Sequence, residues 1–366
     1  MSRRRQDKTW PPKVLKARDT PSLADYIKSD KCKNVVLMLG AGVSTAAGIP
    51  DFRSPKTGLY ANLARLKLPY PEAVFDISFF RKNPVPFYNL AHELYPGKFR
   101  PTLSHSFVRL LNEKKLLLKC FTQNIDTLER LAGVPDDKII EAHGSFATQR
   151  CIECKTEYDG ELMKKHVEEK KIARCDRCKG LIKPDIVFFG EPLPSSFINS
   201  IPVLEEADLL IIMGTSLTVH PFAALADLVS HDKCPRALIN LDKVGDLGHR
   251  PDDVLLLGRC DHVVLDLCKE LGWEDRLRAL WAETELETER GEGGGGADGQ
   301  ENKEEDEEEK EREEDEQVQT EIDALTAAVA ESLKIASPPA EKSPEEDTSE
   351  SPEGQSPPPE STQEKL

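Results

Sequence analysis

The chain has 366 residues and carries 66 Asp+Glu against 49 Lys+Arg, a formal net charge of −17. The imbalance is local: residues 291–366 hold 25 acidic and 6 basic side chains, leaving 41 and 43 upstream. The body is therefore near neutral and gives no electrostatic support to a nucleic-acid interface, and no run reaches the roughly 20 apolar residues of a membrane-spanning helix.

The chain opens MSRRRQDKTWPPK, in which no apolar stretch follows the arginines, so neither a secretory signal nor a membrane anchor is expected. An odd total of nine cysteines fits reduced thiols, hence a cytoplasmic and nuclear protein. Residues 1–30 read as an N-terminal arm. Short apolar runs then recur at 35–39, 116–122, 138–141, 209–213, 237–240 and 262–265, with helical patterns between several of them. Such alternation predicts an α/β fold: a Rossmann-like parallel sheet with helices on both faces. Ligands of these sheets bind beyond the carboxyl ends of the strands, so the residues after each run are the ones to inspect.

The first run leads into GAGVSTAAGIPDFRS, where Gly40 and Gly42 would let backbone approach a pyrophosphate at the start of a helix. The third glycine of the dinucleotide fingerprint would fall at Thr45, and no acidic residue stands where a dehydrogenase grips its ribose, so a plain strand-to-helix turn explains the glycines as well. Three more strand ends carry polar groups unsuited to a dry core. They are Gln123-Asn124-Ile125-Asp126, Gly214-Thr215-Ser216 and Asn240-Leu241-Asp242. Singly, each is as readily a cap or turn; together they could hold ribose hydroxyls and a carboxamide.

Residues 149–183 interrupt the rhythm with charged residues and two cysteine pairs. Cys151-x2-Cys154, a 20-residue gap and Cys175-x2-Cys178 fit a tetrahedral four-thiolate zinc site, which leaves no open position for water and is therefore structural. Beyond residue 273 a charged helix is expected to about residue 288, followed by an acidic tail over 289–366 that cannot bury enough apolar surface to fold. Within the tail, Val318, Ile322, Leu325, Val329 and Leu333 share one helical face, so 318–335 is a candidate helix, for self-docking, for nuclear-export machinery, or inert. Ser337, Ser343, Ser351 and Ser356 each precede proline and could accept phosphate.

Taken in order, GAGVSTAAGIPDFRS, TQNIDTLE, EAHGS, the paired cysteines, KPDIVFFGE and MGTSL resemble the signature set of the sirtuins, class I, over residues 34–273 and closest to cytosolic and nuclear fungal members. The resemblance implies a catalytic domain over 31–288 that consumes NAD. It implies NAD contacts from Ala41, Gly42, Val43, Ser44 and Thr45, from Asp51, Phe52 and Arg53, from Gln123, Asn124, Ile125 and Asp126, from Thr215 and Ser216, from Asn240, Leu241 and Asp242, and from Cys260. It makes His143 the catalytic base, with Asn124 beside it at the carboxamide, and neutral imidazole suits proton removal from a ribose hydroxyl. Val187, Phe188 and Phe189, facing Val219, would receive an acetyl-lysine peptide as an added strand, while Ile186-Val187-Phe188-Phe189 could equally be in part a core strand. The implied reaction is deacetylation of histone tails and other proteins, in chromatin silencing among other settings, releasing nicotinamide and O-acetyl-ADP-ribose. A mono-ADP-ribosyltransferase, a dehydrogenase and a non-catalytic NAD-sensing scaffold remain as alternatives, separable by their products.

Overall fold

In the computed structural model the described residues are 10–51 and 68–285. Phe52 and Arg53 lie outside them, as do the 318–335 helix, the Ser-Pro sites and the whole of the second unit into which the chain divides, Gly293–Leu366.

Five of the predicted runs become strands: β1 Val35–Leu39, β2 Leu117–Thr122, β3 Ile139–Glu141, β6 Leu209–Met213 and β7 Arg236–Asn240. Between them lies the short pair β4 Gln149–Cys151 and β5 Ile182–Pro184, and the last strand is β8 Asp253–Leu257. The main sheet runs β3-β2-β1-β6-β7-β8 with every pair parallel. VVLML and LLIIM are apolar throughout because both central strands are covered on both faces, and all ten side chains are buried. One core lies on one face, where Leu37 and Ile211 meet Phe107, Leu111, Val264 and Leu267. A second lies on the other face, where Met38 and Ile212 meet Phe197, Phe222 and Leu225.

Two expectations need correction. Residues 262–265 are not a strand but lie inside the helix Cys260–Leu271. A four-residue apolar run does not distinguish the two forms; the wider spacing does, since Cys260, Val264, Leu267, Cys268 and Leu271 fall on one buried face. The described part of the expected arm, residues 10–30, is also built into the domain. Asp252 accepts from the backbone N–H of Lys13, Val14 and Leu15, and the helix Thr20–Ile27 buries Leu23, Ala24 and Ile27 in the first core. The charged helix after residue 273 spans Glu274–Ala282.

The cysteine module is entered through β4 and left through β5, which pair antiparallel. Its helix Gly160–Glu168 packs Met163 and Val167 into a third core that also holds Phe75, Phe80, Phe87 and Phe188.

Candidate active site

The strand order reverses between β1 and β6, and the residues leaving their carboxyl ends are knitted together. Gly40 N donates to Met213 O and Gly42 N to Gly214 O at 2.8 Å. A Cβ on Gly42 would come within 2.7 Å of Gly214 Cα, and one on Gly214, whose φ is +61°, within 2.5 Å of Val43 N. Backbone meets backbone here, so only glycine serves. The segment beyond β1 differs from expectation in one respect: it forms two single 3-10 turns, Ala41–Val43 and Thr45–Ala47, in place of the start of a long helix. Gly48 closes them in the left-handed conformation.

A cleft opens at this crossover, lined by Ala41, Ser44, Ile49, Pro50, Leu94, Asn124, Ile125, Asp126 and Phe146. Its polar wall is internally bonded. Asn124 Nδ2 donates to Gly40 O and to Ser44 Oγ, both at 3.2 Å, and Ser44 Oγ donates to Asp126 Oδ2 at 2.7 Å. Asp126 Oδ1 accepts from Leu128 N at 3.0 Å, which fixes the carboxyl against its own turn. Thr215 is buried and donates to Gln123 Oε1 at 2.8 Å, tying the end of β6 to the segment after β2. Ser216, Leu241 and Asp242 are exposed, Asn240 is half-buried, and Asn240 Nδ2 donates to Asp242 O. Thr45 is exposed and Asp51 half-buried. Cys260 starts its helix beneath Ile239 O; burial pushes its thiol up to about 12, which removes it from nucleophilic chemistry near neutral pH.

His143 follows β3 and is half-buried. Its Nδ1 lies 3.1 Å from Gln123 O, an acceptor only, so the neutral ring donates through Nδ1 and keeps a lone pair on Nε2. Burial pushes its pKa below the ordinary histidine value, partly offset by the Gln123 bond. The imidazole is therefore a free base near neutrality. Gly144, next in chain, takes φ +65° where the backbone of Asp185 and Ile186 crosses it; a Cβ there would overlap Asp185 O.

That crossing brings β5's exit to the histidine. Val187 N donates to His143 O at 2.8 Å, and Phe189 N to Phe75 O at 2.7 Å. The expected peptide edge is thus only partly a surface. Val187 is half-buried and Phe189 is 55% exposed, but Phe188 is core, its ring 5.0 Å from Phe87 and 5.5 Å from Phe80. Phe188 therefore supports the edge from behind. Phe222 also lies near His143, ring centroids 6.4 Å apart, and follows the loop carrying the half-buried Val219.

Lys183 was not singled out from sequence. Nearly buried, its Nζ donates to Pro184 O at 3.1 Å and Ile186 O at 2.6 Å and pairs with Glu191 at 3.0 Å, while Glu191 Oε2 accepts from Phe188 N. Leu94 and Phe146 in the cleft wall were also missed, and an apolar wall leaves no motif to find.

The four cysteines come together as their spacing predicts. Cys151 and Cys178 Sγ lie 3.4 Å apart, Cys154 and Cys175 Sγ 3.6 Å, and all four within 4.8 Å. Tetrahedral Zn–S bonds of about 2.3 Å imply S···S separations of about 3.8 Å, so the set fits one structural zinc.

Residues 40–221 match the family profile described as "Sir2 family". The chain is 60% identical over 277 residues to the NAD-dependent protein deacetylase hst2-1 of Emericella nidulans, covering 76% of each chain. It is 56% identical over 267 residues to the NAD-dependent protein deacetylase hst2 of Schizosaccharomyces pombe, covering 73% of this chain and 80% of that one. With the NAD-dependent protein deacetylase sirtuin-2 of Danio rerio the identity is 49% over 290 residues, covering 73% and 76%.

Proposed function

The chain belongs to the Sir2 family, and from that premise we propose that it is an NAD-dependent protein lysine deacetylase with His143 as its base. The observation that carries this reading is the position of His143. Its Nδ1 is committed to Gln123 O, its basic Nε2 is left over, and its own carbonyl is bonded to the strand edge at Val187.

NAD is a substrate of this reaction. Its pyrophosphate and ribose occupy the glycine crossover, with Ala41, Gly42, Val43, Thr45 and Asp51 along the first turns and Thr215, Ser216, Asn240, Leu241, Asp242 and Cys260 along the opposite strand ends. Asn124, Ile125 and Asp126 hold the carboxamide in the cleft with Ser44. The acetyl oxygen of the bound lysine attacks the ribose carbon as nicotinamide leaves. His143 Nε2 then takes the proton from a ribose hydroxyl, whose oxygen bonds to the acetyl carbon; the bond from that carbon to the lysine nitrogen breaks, the amine leaves with a proton, and one water completes the balance to O-acetyl-ADP-ribose. The peptide adds as a strand between Val187 and Phe189 on one side and Val219 on the other. Backbone pairing tolerates many sequences, which suits histone tails and other acetylated proteins of cytoplasm and nucleus. Among the described residues no helix is long and apolar enough to cross a membrane. A zinc ion held by Cys151, Cys154, Cys175 and Cys178 would supply only cross-linking, since four thiolates complete its coordination.

The test incubates wild type and His143→Ala with an acetyl-lysine peptide and NAD, and follows peptide, nicotinamide and ADP-ribose products by mass spectrometry. Deacetylation with one O-acetyl-ADP-ribose per acetyl group, abolished in the variant, is expected. Nicotinamide release with the peptide still acetylated would favour ADP-ribosyl transfer instead.

A further inference from the structure

The chain leaves β6 through two residues in the left-handed conformation, Gly214 at φ +61° and Leu217 at φ +49°. Glycine takes that form freely, whereas a leucine brings its Cβ against its own carbonyl oxygen. Among the other described residues, the non-glycine ones with positive φ are Thr127, which opens the short helix after Asp126, and Lys115, Lys155, Lys170 and Lys179, all exposed. Leu217 is half-buried and stands two residues before Val219, so its strain sits in the loop that faces the peptide edge.

Three restraints hold it there. Its N–H donates to Thr215 Oγ1 at 3.2 Å, and that hydroxyl commits its single hydrogen to Gln123 Oε1 at 2.8 Å. Ser216 Oγ and Thr218 Oγ1 meet at 2.9 Å across the leucine. The Leu217 side chain packs against the second core, whose Phe222 neighbours His143, and a Cβ on Gly245 would stand 3.5 Å from its Cδ1. The leucine therefore also covers the turn that follows Asp242.

We propose that Leu217 is a positioning residue for the acetylated peptide: locked in the left-handed form, it turns the chain so that Val219 faces the edge at Val187 and Phe189 before any peptide arrives. The proposal rests on the reading of this cleft as a deacetylase site.

A glycine at 217 would relax the backbone, but it would also remove the wedge between the second core and Gly245 and leave the loop to be ordered on binding. Ordering a loop at that moment weakens affinity, and a loop fixed in advance avoids the cost. The strain of one residue thus keeps the peptide side of the cleft preformed. The NAD side is held separately. Asn240 Nδ2 donates to Asp242 O, and Asp246, farther along the same turn, accepts from the buried Arg236 at 3.0 and 3.3 Å. Loosening Leu217 should therefore be felt by the peptide and not by NAD.

The full-length zinc-loaded chain is assayed for deacetylation of an acetyl-lysine peptide, and for binding of the same peptide carrying a fluorophore, as wild type, Leu217→Gly and Leu217→Met. Leu217→Gly should raise KM and Kd for the peptide about tenfold while KM for NAD stays within about twofold of wild type. Leu217→Met, which refills the wedge, should hold the peptide KM within about threefold of wild type. Hydrogen exchange on the wild type alone gives a reading that no variant's folding can disturb: without peptide, the Leu217 amide should exchange at least about tenfold more slowly than an unstructured amide. A peptide KM that Leu217→Gly leaves unchanged, peptide and NAD KM values that rise together, a methionine variant as impaired as the glycine one, or an unprotected Leu217 amide overturns the proposal. A wild type that neither binds the peptide nor releases nicotinamide refutes the deacetylase reading itself, and the proposal with it.

Discussion

Replacing Lys183 with methionine removes the cation that braces the peptide edge while preserving its aliphatic volume. The Nζ lies 4.5 Å from the Phe188 ring and satisfies two backbone carbonyls and Glu191. Breaking a buried ion pair from one side costs about 3–5 kcal/mol because the other charge is left uncompensated. The side chain of Glu191 retains 19% exposure and its bond from Phe188 N, so the lower end applies, about 3 kcal/mol. For a domain of this size that corresponds to a fall in Tm of roughly 6–12 °C. Lys183→Met/Glu191→Gln should regain about half of the loss, since no charge is stranded. Because Pro184 and Ile186 flank the approach to Val187, KM for the acetylated peptide should rise several-fold in the single variant while KM for NAD changes little. Thermal melts followed by circular dichroism, and peptide titrations at saturating NAD, measure both. A single variant that loses less than about 1 kcal/mol and leaves the peptide KM unchanged would refute the bracing argument.

Two further outcomes follow from the site. Burial lowers the pKa of His143, so its base form persists as pH falls through the ordinary histidine range. The acid limb of kcat against pH should therefore lie below about 6.5, and a limb above that value would count against His143 as the base. Each chain should bind one zinc by elemental analysis, and Cys175→Ser or prolonged chelation should abolish deacetylation together with the melting transition of the module, because the third core loses its cross-link. An active, zinc-free chain would contradict this.

Much of the sheet was legible because its strands are short, apolar and bounded by turn residues. β1 and β6 lie where the runs placed them. The misreading at residues 262–265 has a definite origin: the buried positions of the helix Cys260–Leu271 extend well beyond the four-residue run, and the true strand, β8, begins with a buried aspartate. In the site, polar clusters after strands stood out since they are wrong for a core. Lys183 did not, because it looks ordinary in its own segment and draws its meaning from the pairing with Glu191 that folding creates. Phe188 was read with its neighbours as a peptide edge that could in part be core, and strand alternation decides which of the three successive residues faces inward.

The pairing of β4 with β5 places the two points where the chain enters and leaves the cysteine module side by side, Gln149 opposite Pro184. The module is thus a detour whose ends nearly touch, and lengthening or shortening it costs the rest of the chain little closure entropy. Its exit is another matter, since only Asp185 and Ile186 separate Pro184 from Val187. Outside its cysteines and the buried Met163 and Val167 the interior of the detour can vary in sequence and size, but its last strand must keep its register, because a slip of one residue would turn Val187 and Phe189 inward and present Phe188 to the peptide.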